Sequence, residues 1–262
     1  MLPSLELAAA TAIDRVRGRY EPGLPPLRVR NIVGPGDFAA IGAEFVGHLR
    51  ELADLAPTDR VLDVGSGAGR MALPLTEYLE EGGSYDGLEI VGVAVHWCRR
   101  HISRLHPNFS FHHADVRNGM YNPRGKSEPE LYRFPFDDDS FDVAFLTSVF
   151  THLMPDSLER YVSELRRVLA PGGRVLATFF LLAQDAPPAE AAEFNFVPLG
   201  ETGVMTTDLE VPEEALAYPE QRIRALVCEH GFTLREPIHF GSWSGRANAR
   251  SFQDIVVLVA EG

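Results

Sequence analysis

Three glycines at alternate positions, Gly65, Gly67 and Gly69, follow an acid, Asp63, set in the apolar run Val61-Leu62-Asp63-Val64. Glycine lets the main chain approach a ligand closely and turn sharply into a helix. The acid in front of the glycines selects the ligand. A dinucleotide brings a pyrophosphate to this point, which a carboxylate repels; a ligand with an ammonium group is attracted. Asp63 therefore points to a nucleoside joined to an amino acid rather than to NAD. An NAD-dependent oxidoreductase remains an alternative with Glu89 as its ribose acid, but it meets Arg70 where the dinucleotide fingerprint wants its third glycine.

Other polar residues recur where strands should end. Glu89 closes a second apolar run, 20 residues beyond Gly69, where a carboxylate accepts hydrogen bonds from both ribose hydroxyls. Asp115 follows a third run and suits an exocyclic adenine amine. Thr147 and Ser148 follow a fourth. His152 comes next, and its neutral imidazole can accept a proton near pH 7; the competing role for it is packing at a helix start. His112, His113 and Asp115 suggest a metal, but successive strand residues face opposite sides, so both histidines cannot easily serve one ion. No metal site is expected. Ser148 and His152 lie four apart without a partner acid or a nucleophile elbow, which disfavours a hydrolase.

The elements that position these residues alternate in type. Strands are expected at Arg60–Val64, Ser84–Ile90, Phe109–His113, Phe141–Leu146 and Arg174–Leu181. Helices are expected at 4–18, at Phe38–Leu55 with Asp37 as its cap, after the glycines with Pro74 kinking or delaying it, at His96–Leu105, at Ser157–Leu169 with Asp156 and Glu159 as a capping box, and at Pro219–His230. Two last strands, Thr233–Phe240 and Gln253–Ala260, lack a helix between them and should pair antiparallel. Strands alternating with helices imply a mostly parallel sheet covered on both faces. Residues 1–36 form an extension, and inserts fall at about 117–136, read as an exposed excursion, and 183–218, read as irregular.

Lys and Arg total 24 and Asp and Glu 37, a net charge of −13, which repels a phosphate backbone and disfavours nucleic acid as a partner. Two cysteines far apart read as reduced thiols, consistent with the cytoplasm. The apolar run Leu7–Ile13 reads as a helix rather than a signal peptide, and no segment reaches the roughly 20 apolar residues that span a membrane.

Val61–Arg70, Glu89, Ala114-Asp115-Val116 and the turn Leu169-Ala170-Pro171-Gly172-Gly173-Arg174 together resemble the class I S-adenosylmethionine-dependent methyltransferase family, over roughly Asp37 to Glu261. The resemblance implies a Rossmann-like α/β fold, with a seven-stranded, mostly parallel sheet, one antiparallel strand and helices on both faces. It implies S-adenosylmethionine as cofactor. The implied cofactor-binding residues are Asp63, Gly65, Ser66, Gly67, Gly69, Glu89, Ile90, Asp115, Val116 and Thr147, with Phe38 a contact as Pro35–Phe38 closes over the ligand. Ser66, where relatives often carry Cys, is a departure of small consequence. It also implies in-line methyl transfer, with His152 as the candidate catalytic base beside the methyl group. The strand-four end lacks the Asn/Asp-Pro-Pro-aromatic signature of amino-group methylation on adenine or glutamine, so a small-molecule acceptor is expected. Met120–Phe136, Phe194–Tyr218 and Gly241–Arg246 are candidate substrate walls, with Trp243 and Arg246 suggesting an aromatic, anionic ligand or simple packing. A non-catalytic S-adenosylmethionine-binding module stays open as an alternative. The acceptor, the atom methylated and the oligomeric state are not fixed by the sequence.

Overall fold

A computed structural model describes residues 3–34, 36–183 and 194–262. Pro35 of the expected cofactor-closing segment, and 184–193 of the second insert, lie outside the described residues. The chain divides into two compact units, 1–115 and 116–262.

The first unit opens with helix α1 (Pro3–Val16), which buries Leu7, Ala10 and Asp14. Asp14 accepts from the Leu27 N–H at 2.7 Å, which ties α1 to the short α2 (Leu27–Arg30). Helix α3 (Phe38–Leu52) starts on Asp37, whose carboxylate accepts from the Ala39 and Ala40 N–H groups, as expected of that cap. Strand β1 (Arg60–Val64) occupies the expected residues. The helix after the glycines, α4, spans only Ala72–Leu75; Pro74 has no N–H to continue the ladder. Strands β2 (Ser84–Glu89) and β3 (Phe109–His113) complete a parallel sheet in the order β3-β2-β1, with Asp63 opposite Gly87 and Glu89 opposite His113. Between them α5 (Gly92–Cys98) begins four residues earlier than expected and passes into a π-turn, Arg99–Ser103.

Glycine is required at Gly42 of α3, because a Cβ there would stand 2.3 Å from the Arg70 carbonyl oxygen. That position lets α3 lie directly against the loop leaving β1.

The second unit holds β4 (Phe141–Leu146), α6 (Pro155–Val168), β5 (Leu169–Leu182), β6 (Val197–Pro198), β7 (Met205–Thr206), β8 (Leu216–Pro219), α7 (Glu220–Glu229), β9 (Phe232–His239) and β10 (Asp254–Ala260). β4 runs parallel to β5. Residues 174–179 of β5 pair antiparallel with β10, and Phe180–Leu182 pair parallel with β8. β9 pairs antiparallel with β10, as expected. The fold is therefore Rossmann-like α/β, mostly parallel with an antiparallel region. The described residues carry ten strands rather than seven. The additional ones, β6, β7 and β8, lie in the stretch expected to be irregular; a strand of two to four residues leaves too little periodicity to read.

Two local expectations fail. Asp156 does not cap α6: the N-cap is Met154, and Pro155 occupies the first turn, where its fixed φ favours the helix start and its missing N–H costs nothing. The Pro171-Gly172-Gly173 turn does not precede β5 but lies within it, with a register shift against β4 and Gly172 at φ 76°. Among the described residues no helix is long and apolar enough to cross a membrane.

Candidate functional site

Each unit carries a cluster of polar groups where its strands end. In the first unit, Gly65, Gly67 and Gly69 all have positive φ (81°, 52° and 80°), a conformation that costs glycine nothing. The Gly65 and Ser66 N–H groups donate to the Leu88 carbonyl, which holds the loop to the end of β2. Glu89 is 6% exposed. Its two carboxylate oxygens accept from the Gly67 and Val91 N–H groups, each at 2.7 Å. Burial pushes the Glu89 carboxyl up, and these main-chain donors pull it back.

Asp63 is wholly buried, with 0% exposure. One oxygen accepts from the Tyr85 hydroxyl at 2.5 Å, and the other, Oδ1, has no hydrogen-bond partner among the described residues. Burial raises its pKa to about 8; the Tyr85 hydrogen bond opposes that rise and the Glu89 charge adds to it. Tyr85 is the residue sequence reasoning missed. It is itself fully buried and stacks on Phe109 at 5.0 Å. Ser66 Oγ is a second buried polar atom without a partner among the described residues. Buried polar groups are normally satisfied, and exceptions concentrate where a ligand completes them. Positive-φ glycines, a partly paired buried acid and an unfilled hydroxyl suit a ligand that carries both a cation and hydroxyl groups.

Phe38, at the start of α3, is buried, and the Arg70 guanidinium lies 5.5 Å from its ring centre. Arg70 also donates to the Gly34 carbonyl at 3.2 Å, so the segment before α3 is fastened to the glycine loop. Ile90 and Asp115 are half-buried at the ends of β2 and β3, and the Ala114 N–H donates to the Glu89 carbonyl. His112 pairs with Asp86 at 2.7 Å while His113 meets the Ile90 carbonyl. Among the described residues no three His, Cys, Asp or Glu side chains are grouped to hold a metal.

In the second unit, Val116 is buried in a bridge to Ser127, and Thr147 is half-buried just past β4. Two short segments, 118–121 and the one bearing Glu213, converge on His152. Its Nδ1 donates to the Glu213 carbonyl at 2.8 Å. Its ring meets Tyr121 edge-on, with centroids 5.2 Å apart. Its main-chain carbonyl accepts from the buried Asn118 amide at 3.0 Å. The Glu213 carboxylate accepts from the Gly119 N–H. The stretch after β3 is thus not a fully exposed excursion: Asn118 also organises the turn at Met120 and Tyr121. Tyr121 and Glu213 were invisible as partners of His152, being 31 and 61 residues distant. Burial lowers the His152 pKa below its usual 6.5, although the Glu213 carbonyl opposes this.

Trp243 is packing rather than a ligand platform. It is buried against Phe180 and Phe196, and its indole N–H donates to Asp254 at 2.9 Å. Asp254 also accepts from the Gly241 and Leu181 N–H groups, and burial raises its pKa to about 6.

Residues 61–173 match the family model of the methyltransferase domain. Phthiotriol/phenolphthiotriol dimycocerosates methyltransferase 1 of Mycobacterium ulcerans is 33% identical over 119 residues, which cover 45% of this chain and 36% of that protein. Nocamycin O-methyltransferase of Saccharothrix syringae is 29% identical over 206 residues, covering 75% of this chain and 63% of that protein. The chain thus spans less than two thirds of the length of either relative. Among solved structures, a SAM-dependent methyltransferase of Methanosarcina mazei superposes with a TM-score of 0.53 at 19% identity, covering 79% of this chain and 94% of that one. The matched span opens on β1 and closes on the Pro171-Gly172-Gly173 turn, so these residues are similar to a methyltransferase domain, and the solved structure shares the fold.

Proposed function

We propose that the chain transfers a methyl group from S-adenosylmethionine to a small-molecule acceptor, with His152 taking the acceptor's proton. S-adenosylmethionine supplies a methyl group already activated on a positively charged sulfur, so the protein's work is to bind, align and exclude water. In the first unit, Gly65, Ser66, Gly67 and Gly69 give the ligand close main-chain contact. Glu89, held by two N–H groups, accepts from ribose hydroxyls, and Asp63 provides the negative counterpart to the ligand's cationic end. Ile90, Asp115 and Phe38 are assigned to the adenosine part.

The observation that carries the catalytic reading is the His152–Glu213 hydrogen bond. Since Nδ1 carries the proton that the Glu213 carbonyl accepts, Nε2 keeps its lone pair. The lowered pKa leaves the ring neutral at pH 7. The small-molecule reading is supported by the acidic net charge of the sequence and by relatives named for nocamycin and phthiotriol. Incubation with methyl-labelled cofactor and pools of small metabolites should label a discrete product. His152→Ala should lower turnover and leave affinity for S-adenosylhomocysteine unchanged. Absence of label in every pool speaks for a binding module, a fully active variant removes His152 from the chemistry, and calorimetry showing NAD alone to bind ends the whole assignment.

A further inference from the structure

We infer that the acceptor has an apolar body without an anionic group, seated on exposed apolar side chains, Phe252 and Met120 foremost, carried by the segments that hold His152 and Ser148; this deepens, and rests on, the reading of His152 as proton acceptor. Every residue of this seat belongs to the second unit.

The polar part is tied to an aromatic part through β5. Ser148 follows β4, and its N–H donates to Thr178 Oγ1 at 2.7 Å. The Thr178 hydroxyl donates to Gln253 Oε1 at 2.6 Å, and Gln253 Nε2 donates to Ser148 Oγ at 2.9 Å. That Oγ is 3.5 Å from His152 Nε2. Thr178 and Phe180 are two apart in β5 and share a face. Phe179, between them, points the other way and stacks on Phe150 with centroids 4.9 Å apart. The Phe180 ring lies 6.2 Å from that of Phe252, the chain neighbour of Gln253, and 5.3 Å from that of Phe194. Phe194 and Phe252 are 5.8 Å apart. Phe180 is the buried anchor of these rings, packed with Trp243 and Ala217, and Phe252 is their outward edge at 38% exposure.

Single exposed apolar side chains are ordinary on any surface. Here they are not scattered. Among the described residues of the second unit, the large exposed apolar side chains are Met120, Leu131, Leu209, Val211 and Phe252. All but Leu131 lie on the three segments that touch His152 or Ser148. Met120 stands between Gly119, whose N–H donates to the Glu213 carboxylate, and Tyr121, whose ring meets His152. Val211 precedes Glu213 by two residues, and its carbonyl accepts from the Glu214 N–H. Phe252 adjoins the Gln253 amide that holds Ser148. Apolar surface kept in water beside a proton acceptor is recovered when an apolar ligand covers it. The same segments decide the ligand's charge. Residues 118–121 and 252–253 carry none, and 206–214 carry Asp208, Glu210, Glu213 and Glu214, all acids. Arg246 lies over the Phe240 ring and acts on Asp254, and Arg250 is engaged as well. An anionic group would meet repulsion here, and a neutral apolar body meets none.

N-phenyl-1-naphthylamine and 8-anilino-1-naphthalenesulfonate share a ring skeleton, and only the second is an anion, which makes them the probes. Fluorescence titration of the full chain should show saturable binding of the neutral probe, with the sulfonate about fivefold weaker or worse. Phe252→Ser and Met120→Ser should each weaken the neutral probe about fivefold, the scale of one lost ring or side-chain contact. Leu131→Ser, exposed but off these segments, should leave its affinity unchanged. Met120 is a surface side chain, so its variant keeps the test sound where Phe252→Ser disturbs the ring cluster. No saturable binding, equal binding of the two probes, or an affinity untouched by both Phe252→Ser and Met120→Ser overturns the inference. A second readout separates this from failure of methyl transfer itself. Methyl-labelled cofactor is incubated with a mixed metabolite extract, and the labelled product is partitioned between octanol and water at neutral pH. Product in octanol supports the apolar acceptor. Product in water alone overturns the inference and leaves methyl transfer standing. Label transferred to nothing overturns the transferase reading, and the inference with it.

Discussion

The buried Asp63 makes stability and ligand binding depend on pH in a direction the structure fixes. An unfolded aspartate titrates near 3.8, and in the folded chain the value rises to about 8. The folded state therefore holds a proton on Asp63 that the unfolded state releases across that window. Stability from this group is complete below the unfolded value and is lost as pH rises to the folded one, at no more than about 1.4 kcal/mol per pH unit. Summed over roughly four units, the ceiling is about 6 kcal/mol, comparable to the whole stability of many domains. Asp63→Asn keeps the oxygen that accepts from Tyr85 and cannot ionise. Urea unfolding at a series of pH values between about 5 and 8 should show the native chain weakening with pH and the variant losing much of that slope. Glu89 is also raised and contributes in the same sense, so the difference between the two proteins isolates Asp63. A ligand with an ammonium group should expel the Asp63 proton, so binding of S-adenosylhomocysteine near pH 7 should release protons from the native chain and fewer from the variant. Identical pH slopes would show that Asp63 is already ionised when folded and would refute the account.

Further outcomes follow from single contacts. Glu89→Ala removes an acceptor shared by two N–H groups and should weaken cofactor binding by roughly 1.5–3 kcal/mol, measured by calorimetry with S-adenosylhomocysteine. The pH profile of kcat, once an acceptor is in hand, should have an acidic limb below the ordinary histidine value of 6.5, which His152→Ala abolishes. Gly69→Ala should destabilise by about 1–3 kcal/mol in urea unfolding, because φ is 80° and a Cβ would meet Ile102 Cδ1 at 2.8 Å. Trp243→Phe should cost about 1–2 kcal/mol by removing one donor to buried Asp254 while the ring stays packed.

What was legible in the sequence was local. β1, β3 and β4 lie on the residues expected of them, because each is an apolar run closed by turn-forming residues. The glycine loop and Glu89 could be read for the same reason: their conformations are decided within a few residues. What could not be read depends on register. Tyr85 reaches Asp63 only because β1 and β2 pair with Val61 opposite Tyr85 and Asp63 opposite Gly87, which puts the phenol diagonally across from the acid. The short strands β6–β8 and the clasp of Glu213 on His152 likewise exist only once distant segments have met.

The two buried acids of the first unit divide their work by the partners each was given. Glu89 accepts two main-chain N–H groups, and donors of that kind favour the charged form and fix its direction. Asp63 has one hydroxyl and an unpartnered oxygen, which leaves it protonated near neutrality until a positive charge arrives. Glu89 is thereby held in one direction by its donors, which oppose the burial that raises its pKa, while Asp63 has no such main-chain donors. On the proposed reading, a phosphorylated coenzyme gains nothing from either group, since neither carboxyl attracts an anion. Under that proposal, selection for a cationic donor rests less on the number of carboxylates than on leaving one of them half satisfied.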